Sequence, residues 1–167
     1  MQNKKNSITT KTGDDGYTDI IGGERLPKNH PIPECLGALD ELNSFLGDAK
    51  AALTADSQTS EIINDIQIDL ITIMGIVAGM PASKKSLGEE RLDDLIKKLE
   101  EELPVLTSFT VPGINPVSAK LHITRAVCRR AERRLLSLGG ETFAEIGPYL
   151  NRLSDILFLL AQKESRE

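Results

Sequence analysis

The chain has 167 residues, 40% of them hydrophobic and 27% charged, with a formal net charge of -5. That length and balance suit one soluble domain with a substantial core. Aromatics are only 4% and Trp is absent, which argues against a general nucleic-acid binder, since that would show a basic footprint and stacking aromatic side chains.

Residues 1–33 carry no helical period. Gly13, Gly16, Gly22, Gly23, Pro27, Pro31 and Pro33 punctuate them as loops and turns. A loop this long inside a compact domain is usually functional or disordered, and the absence of low complexity favours function. Thr9, Thr10, Lys11, Thr12, Gly13, Asp14, Asp15, Gly16, Tyr17 and Thr18 run together there. Small hydroxyls, glycines that bring backbone N–H groups close, and one lysine suit the wrapping of a polyphosphate. A disordered tail with a turn is the competing reading, and no P-loop motif occurs. Met1 to Thr12 is polar, so no signal peptide is visible. No apolar run reaches the length of a membrane span, which makes a cytoplasmic location the default.

Helices are predicted over 34–53, 60–79, 87–103, 117–138 and 146–163. The first carries Cys35, Leu39, Leu42, Phe45, Leu46, Ala49 and Leu53 on one arc. Asp40, Asn43 and Gly47 lie opposite, and Gly37 and Gly47 suggest close approach by another backbone. The second offers a broad apolar surface of Ile62, Ile63, Ile66, Leu70, Ile73, Met74 and Val77. The third alternates charge in blocks on a solvated face. Cys35 and Cys128 both fall inside helices, consistent with two reduced thiols.

The fourth helix gathers the positive charge of an acidic protein: Arg125, Arg129, Arg130, Arg133 and Arg134, with Glu132 among them. At 100° per residue, Arg125, Arg129 and Glu132 fall within about 60° of each other. Ile123, Val127, Ala131, Leu135 and Leu138 form the predicted core arc. The arginines read as a row of bidentate donors for phosphate or carboxylate, or as a solvated face with an ion pair. Gly139 and Gly140 are the stop signal. In the last helix Tyr149, Leu153, Ile156, Leu157 and Leu160 make one apolar face, while Phe158 and Leu159 lie beside Asn151 and Asp155. A helix apolar on both sides is usually buried on both sides. The fold class expected is all-α, an up-and-down five-helix bundle that self-associates. It forms one domain over 1–167, with an N-terminal loop (1–33) and a bundle (34–167). His30 and His122 are isolated. No cluster has the spacing of a structural zinc site, and no local motif suggests a catalytic triad.

Three stretches together carry a family resemblance. They are Thr10–Gly16 followed by Gly22, Gly23, Glu24, Arg25 and Lys28; Arg125–Arg133; and Tyr149–Asp155. In this order they make the chain similar to the PduO-type ATP:cob(I)alamin (corrinoid) adenosyltransferases, over roughly residues 9–162. The resemblance implies a ferritin-like five-helix bundle assembled as a homotrimer, with active sites between subunits. It implies transfer of the 5'-deoxyadenosyl group of ATP to cob(I)alamin or a related corrinoid, with release of triphosphate and with Mg²⁺ accompanying the nucleotide. Thr10, Lys11, Thr12, Gly13, Thr18, Asp19 and Lys28 then resemble ATP contacts from the loop. Arg129, Arg130, Glu132 and Arg133 resemble contacts from the arginine helix, and Asn151 one from the last helix, with Glu132 also a candidate near Mg²⁺. Asp40 resembles the acidic partner of Arg125 across the interface. Phe109 resembles the aromatic that closes the lower face of the corrinoid, and Asp155 is a further corrinoid candidate. Ile114 stands where the family usually has a second glycine, which bears on corrinoid preference. A corrinoid reductase and an adenosylcobalamin-dependent enzyme are the implied protein partners, with no nucleic acid or membrane. A carrier or sensor of the same fold, binding corrinoid or ATP without turnover, is the rival reading.

Overall fold

The computed structural model describes residues 9, 11–81, 87–105 and 110–166. Five helices follow one another: α1 (Pro31–Ala51), α2 (Gln58–Val77), α3 (Glu89–Glu102), α4 (Pro116–Leu136) and α5 (Gly140–Glu164). Ahead of them, β1 (Tyr17–Asp19) and β2 (Arg25–Pro27) pair antiparallel, with Thr18 opposite Leu26. The five-helix expectation holds, and the uniform loop over 1–33 is corrected to a segment with a small hairpin. Strands of three residues are too short to show alternation in sequence.

Local chemistry sets the helix starts. His30 Nδ1 accepts from the N–H of Ile32 at 3.3 Å and Pro31 opens α1, which moves the start ahead of Glu34. Ser57 caps α2 by accepting from the N–H of Ser60 at 3.0 Å. Asn115 caps α4 by accepting from the N–H of Ser118 at 2.8 Å, followed by Pro116. These side chains occupy N–H groups that a first turn leaves bare. The predicted start of the last helix at Ile146 is corrected: α5 begins at Gly140 and runs through Pro148. Gly139 and Gly140, both at positive φ, turn the chain between α4 and α5, and tertiary packing overrides the proline signal.

Helix α4 lies between α1 and α5, and α3 packs on α5. The core is aliphatic, including Leu39, Leu42, Ile66, Leu70, Leu92, Leu121, Leu153 and Leu160, with Tyr149 the largest ring fully inside. The Tyr149 hydroxyl donates to Asp69 Oδ2 at 2.7 Å, and Asp69 pairs with Arg91 of α3. Thus α2, α3 and α5 are tied around one buried phenol. At the far end Thr59 donates to the buried Glu164 at 2.5 Å, and Asn115 Nδ2 donates to the Glu164 carbonyl at 2.6 Å. Those two bonds fasten the end of α5 to the starts of α2 and α4.

Two expectations fail. Ile123 is 49% exposed, because the buried side of α4 centres on Cys128 and Ile123 stands about 140° from it. Close backbone approach at Gly37 and Gly47 does not occur within the chain. A Cβ on Gly37 would meet nothing within 4 Å, and one on Gly47 would meet only the Gln67 amide at 3.5 Å. The close approach is instead at Gly79, φ +101°, where a Cβ would lie 3.2 Å from the Ile21 carbonyl oxygen. That contact seats the hairpin turn against the end of α2. Among the described residues no helix is long and apolar enough to cross a membrane.

Candidate functional site

The shifted core centre divides the arginines of α4 between two edges. On the α1 edge, Arg130 pairs with Glu41, Arg134 with Glu34 at 3.1 Å, and Lys120 with Asp48 at 2.5 Å. On the α5 edge stand Arg125, Arg129 and Glu132. Glu132 Oε1 accepts from Asn151 Nδ2 at 3.4 Å, and Arg133 Nη1 donates to the Arg129 carbonyl at 2.9 Å. The exposed Arg129 guanidinium has no hydrogen bond or ion pair among the described residues. Arg125 lies with its guanidinium 5.9 Å from the centre of the Phe158 ring, and its Nε is buried without a partner.

The thiol of Cys128 sits behind this edge and reports its charges. Burial pushes the thiol far above its usual range; Glu132 and Asp155 act in the same direction and Arg129 opposes them. Arg129, Glu132, Asp155 and Asn151 therefore lie near one another along the seam between α4 and α5, the α4–α5 groove. Such a groove offers an unpaired guanidinium and an amide–carboxylate pair, which is the donor and acceptor set for a phosphorylated, ribose-bearing ligand.

The N-terminal segment is organised by Arg25. Its Nη2 donates to the Thr12 carbonyl at 2.7 Å and to Asp15 at 2.7 and 2.8 Å, and its guanidinium lies 5.9 Å from the Tyr17 ring centre. Gly13 and Lys28 meet: a Cβ on Gly13 would stand 3.1 Å from Lys28 Nζ and 3.2 Å from the Tyr17 carbonyl oxygen. A side chain at this position would press on both by a few tenths of an ångström. Lys11 takes φ +60°, a conformation that few L-residues adopt without an imposed reason. Thr18 and Asp19 lie on β1. The segment is thus a coil with Lys11, Gly13 and Lys28 on it. Among the described residues no hydrogen bond or ion pair joins this coil to Arg129, Glu132 or Asn151.

The family model described as cobalamin adenosyltransferase matches residues 8–164. The chain belongs to the cobalamin adenosyltransferase family. The corrinoid adenosyltransferase MMAB of Homo sapiens is 39% identical over 168 residues, covering 93% of this chain and 67% of that protein. A corrinoid adenosyltransferase of Bacillus subtilis is 38% identical, covering 93% of this chain and 84% of its own length. Among solved structures, a phenylalanine-to-alanine variant of a PduO-type ATP:corrinoid adenosyltransferase from Lactobacillus reuteri, complexed with cobalamin and ATP, superposes with a TM-score of 0.88 at 29% identity, covering 96% and 94% of the two chains. An arginine-to-lysine variant from the same organism, complexed with ATP, gives 0.86 at 30% identity, covering 95% and 94%.

Within this family member the predicted site residues fall into three groups. Arg129, Glu132, Asn151 and Asp155 share the α4–α5 groove, with Arg133 bonded beside them. Lys11, Thr12, Gly13, Thr18, Asp19 and Lys28 share the hairpin segment. Thr10 and Phe109 lie outside the described residues. Two residues stand apart from both groups. Arg130 faces α1, and the exposed Asp40 lies on α1, across α4 from the edge that holds Arg125. Sequence reasoning assigned no role to Arg25 or His122. Arg25 had a visible signal, a lone arginine between two runs of turn residues, but its partners come from ten to thirteen positions away.

Proposed function

We propose that this chain is a corrinoid adenosyltransferase that moves the 5'-deoxyadenosyl group of ATP onto the cobalt of cob(I)alamin or a related corrinoid. The observation that carries it is the α4–α5 groove with Arg129 unpaired beside the Glu132–Asn151 bond, in a chain of this family. The Co(I) lone pair attacks C5' of ATP. The C5'–O bond breaks, its electron pair leaves on triphosphate, and the new Co–C bond leaves cobalt formally Co(III). Cobalt is the nucleophile, so the protein needs no serine, cysteine or histidine for attack. This agrees with the fate of the thiols: Cys35 and Cys128 are buried and free, and both are pushed up by that burial.

The protein's task is to hold the reactants in line and to stabilise charge on the leaving triphosphate. Arg129, with Arg130 and Arg133 beside it, Lys11 and Lys28 serve the phosphates. Gly13 and the Thr12 and Thr18 segment wrap them, with Thr10 and Asp19 flanking. Asn151 holds Glu132 and faces the nucleoside. Among the described residues no three metal-ligating side chains converge. A single carboxylate suits Mg²⁺, which keeps most of its shell from water and substrate phosphates, so Glu132 is placed to meet a cation that arrives with ATP. Phe109 and Asp155 are assigned to the corrinoid.

We place each site between copies of a homotrimer. Among the described residues no hydrogen bond or ion pair joins the coil to Arg129, Glu132 or Asn151, and the exposed Asp40 lies on α1 while Arg125 lies on the α5 edge of α4. Both facts favour a neighbour's coil over each groove and a neighbour's Asp40 on each Arg125. A reductase that delivers Co(I) and an enzyme that uses the product are the expected partners, in the cytoplasm. Anaerobic mixing with cob(I)alamin and MgATP tests the activity. Decay of the Co(I) absorbance with matching triphosphate release is expected; a persistent Co(I) signal with ATP bound would indicate a carrier instead.

A further inference from the structure

Four buried side-chain atoms among the described residues lack a hydrogen-bond partner: Asn43 Oδ1, His122 Nδ1, Arg125 Nε and Gln162 Nε2. Native folds satisfy nearly all such atoms, and each bare one costs about 1–3 kcal/mol. Two of the four, on His122 and Arg125, belong to side chains that meet one ring, and the third lies one helical turn further along α5. His122 meets Phe158 edge-on with centroids 6.0 Å apart, and Arg125 lies 5.9 Å from the same ring. Gln162 follows Phe158 by one turn of α5. His122 and Gln162 are each more than nine-tenths buried, and Gln162 also lines a cavity of about 270 Å³ with Leu103, Leu159 and Arg166.

This cluster continues the groove described above. On α4, His122 precedes Arg129 by two turns, or about 10 Å. On α5, Phe158 and Gln162 follow Asn151 and Asp155 on the same face. One end of the groove is suited to phosphates and the other is not. His122 stays neutral because burial, and then the nearby Arg125, disfavour its charged form. The facing groups are the Arg125 guanidinium, the Phe158 ring and, along α5, the Asp155 carboxylate. A neutral imidazole offers one donor and one acceptor, and Gln162 Nε2 offers a donor. With its proton on Nε2, His122 leaves Nδ1 as an acceptor that an anion cannot satisfy. A carboxamide, with oxygen and NH₂ together, satisfies both.

We propose that His122 and Gln162 read the carboxamide arms of the corrin ring, with Phe158 turning aside to admit them. This rests on the adenosyltransferase reading, in which the acceptor must lie within an adenosyl length of the phosphate end. Neither residue touches the reacting atoms; both determine which corrinoid is held.

The test uses the intact oligomer with MgATP and titrates cob(II)alamin by its absorbance. A second titration uses a cobyrinate methyl ester, whose arms accept but do not donate hydrogen bonds. His122→Leu and Gln162→Met are expected each to weaken cob(II)alamin binding about tenfold. They should leave the ester's weaker binding unchanged, leave ATP affinity unchanged, and preserve the sedimentation profile. Equal loss for amide and ester corrinoids, unchanged cobalamin affinity, or altered subunit association in place of altered affinity would each overturn the proposal. If the unmodified protein binds no corrinoid at all, it is the adenosyltransferase reading that fails.

Discussion

Arg129 and Arg130 are neighbours in sequence, about 100° apart around α4, and fall on different edges of it. Arg130 is engaged by Glu41, whereas the exposed Arg129 guanidinium has no hydrogen bond or ion pair among the described residues. Arg129→Ala is therefore expected to lower kcat by about 10²–10³, as for loss of one preorganised charge-stabilising donor, with the melting temperature unchanged. Steady-state kinetics beside a thermal melt check this, and an unaffected rate would remove Arg129 from the site. His122 gives a pH dependence. Its folded pKa lies below the ordinary histidine value of 6.5, so on acidification through 6.5 the unfolded chain takes up the proton first. Stability should fall as pH drops below about 6.5, and His122→Leu should flatten that slope in denaturant titrations. Cys35, pushed up to about 11 by burial, and Cys128 should both resist a thiol reagent until the protein is denatured. At this scale the sequence showed which residue types gather on α4, but not which edge each faces. That depended on a core centred at Cys128, which helical spacing alone left about a quarter-turn off.

Among the elements, the long helices were legible because apolar residues recur with a period that a core enforces. Their ends were less so. The start of α5 was hidden because Gly139 and Gly140 read as a stop signal and the apolar period is clear only from Ile146, whereas the helix begins at Gly140. The hairpin was hidden because its order comes from Arg25, whose bonds to Thr12 and Asp15 span distances in sequence that no local pattern reveals. Arg25→Ala should raise KM for ATP several-fold by loosening the coil, while costing the bundle at most about 1 kcal/mol, since this ion pair is exposed. A large loss of global stability would show that the coil is part of the core. Gly79→Ala should destabilise by about 1–3 kcal/mol, because it combines a positive φ with a Cβ against the Ile21 carbonyl. Chemical denaturation measures it.

For the whole molecule, the proposal is that two copies are needed to complete each site. The coil carries Lys11, Gly13 and Lys28; the α4–α5 edge carries Arg129, Glu132 and Asn151; among the described residues no hydrogen bond or ion pair joins them within one copy. The surface between Asp40 and Arg125 is likewise unpaired across α4. The expectation of self-association came from α5, read as apolar on two sides, whereas the sequence carried no sign of which edge of α4 a neighbour would cover. The most direct measurement mixes two inactive variants, Lys11→Ala and Arg129→Ala, refolded or coexpressed together, and assays Co(I) consumption with MgATP. If coil and groove come from different copies, random trimers regain about a quarter of normal activity, because that share of sites pairs an intact coil with an intact groove. If the mixture stays as inactive as either variant alone, each site lies within a single chain and the account is contradicted.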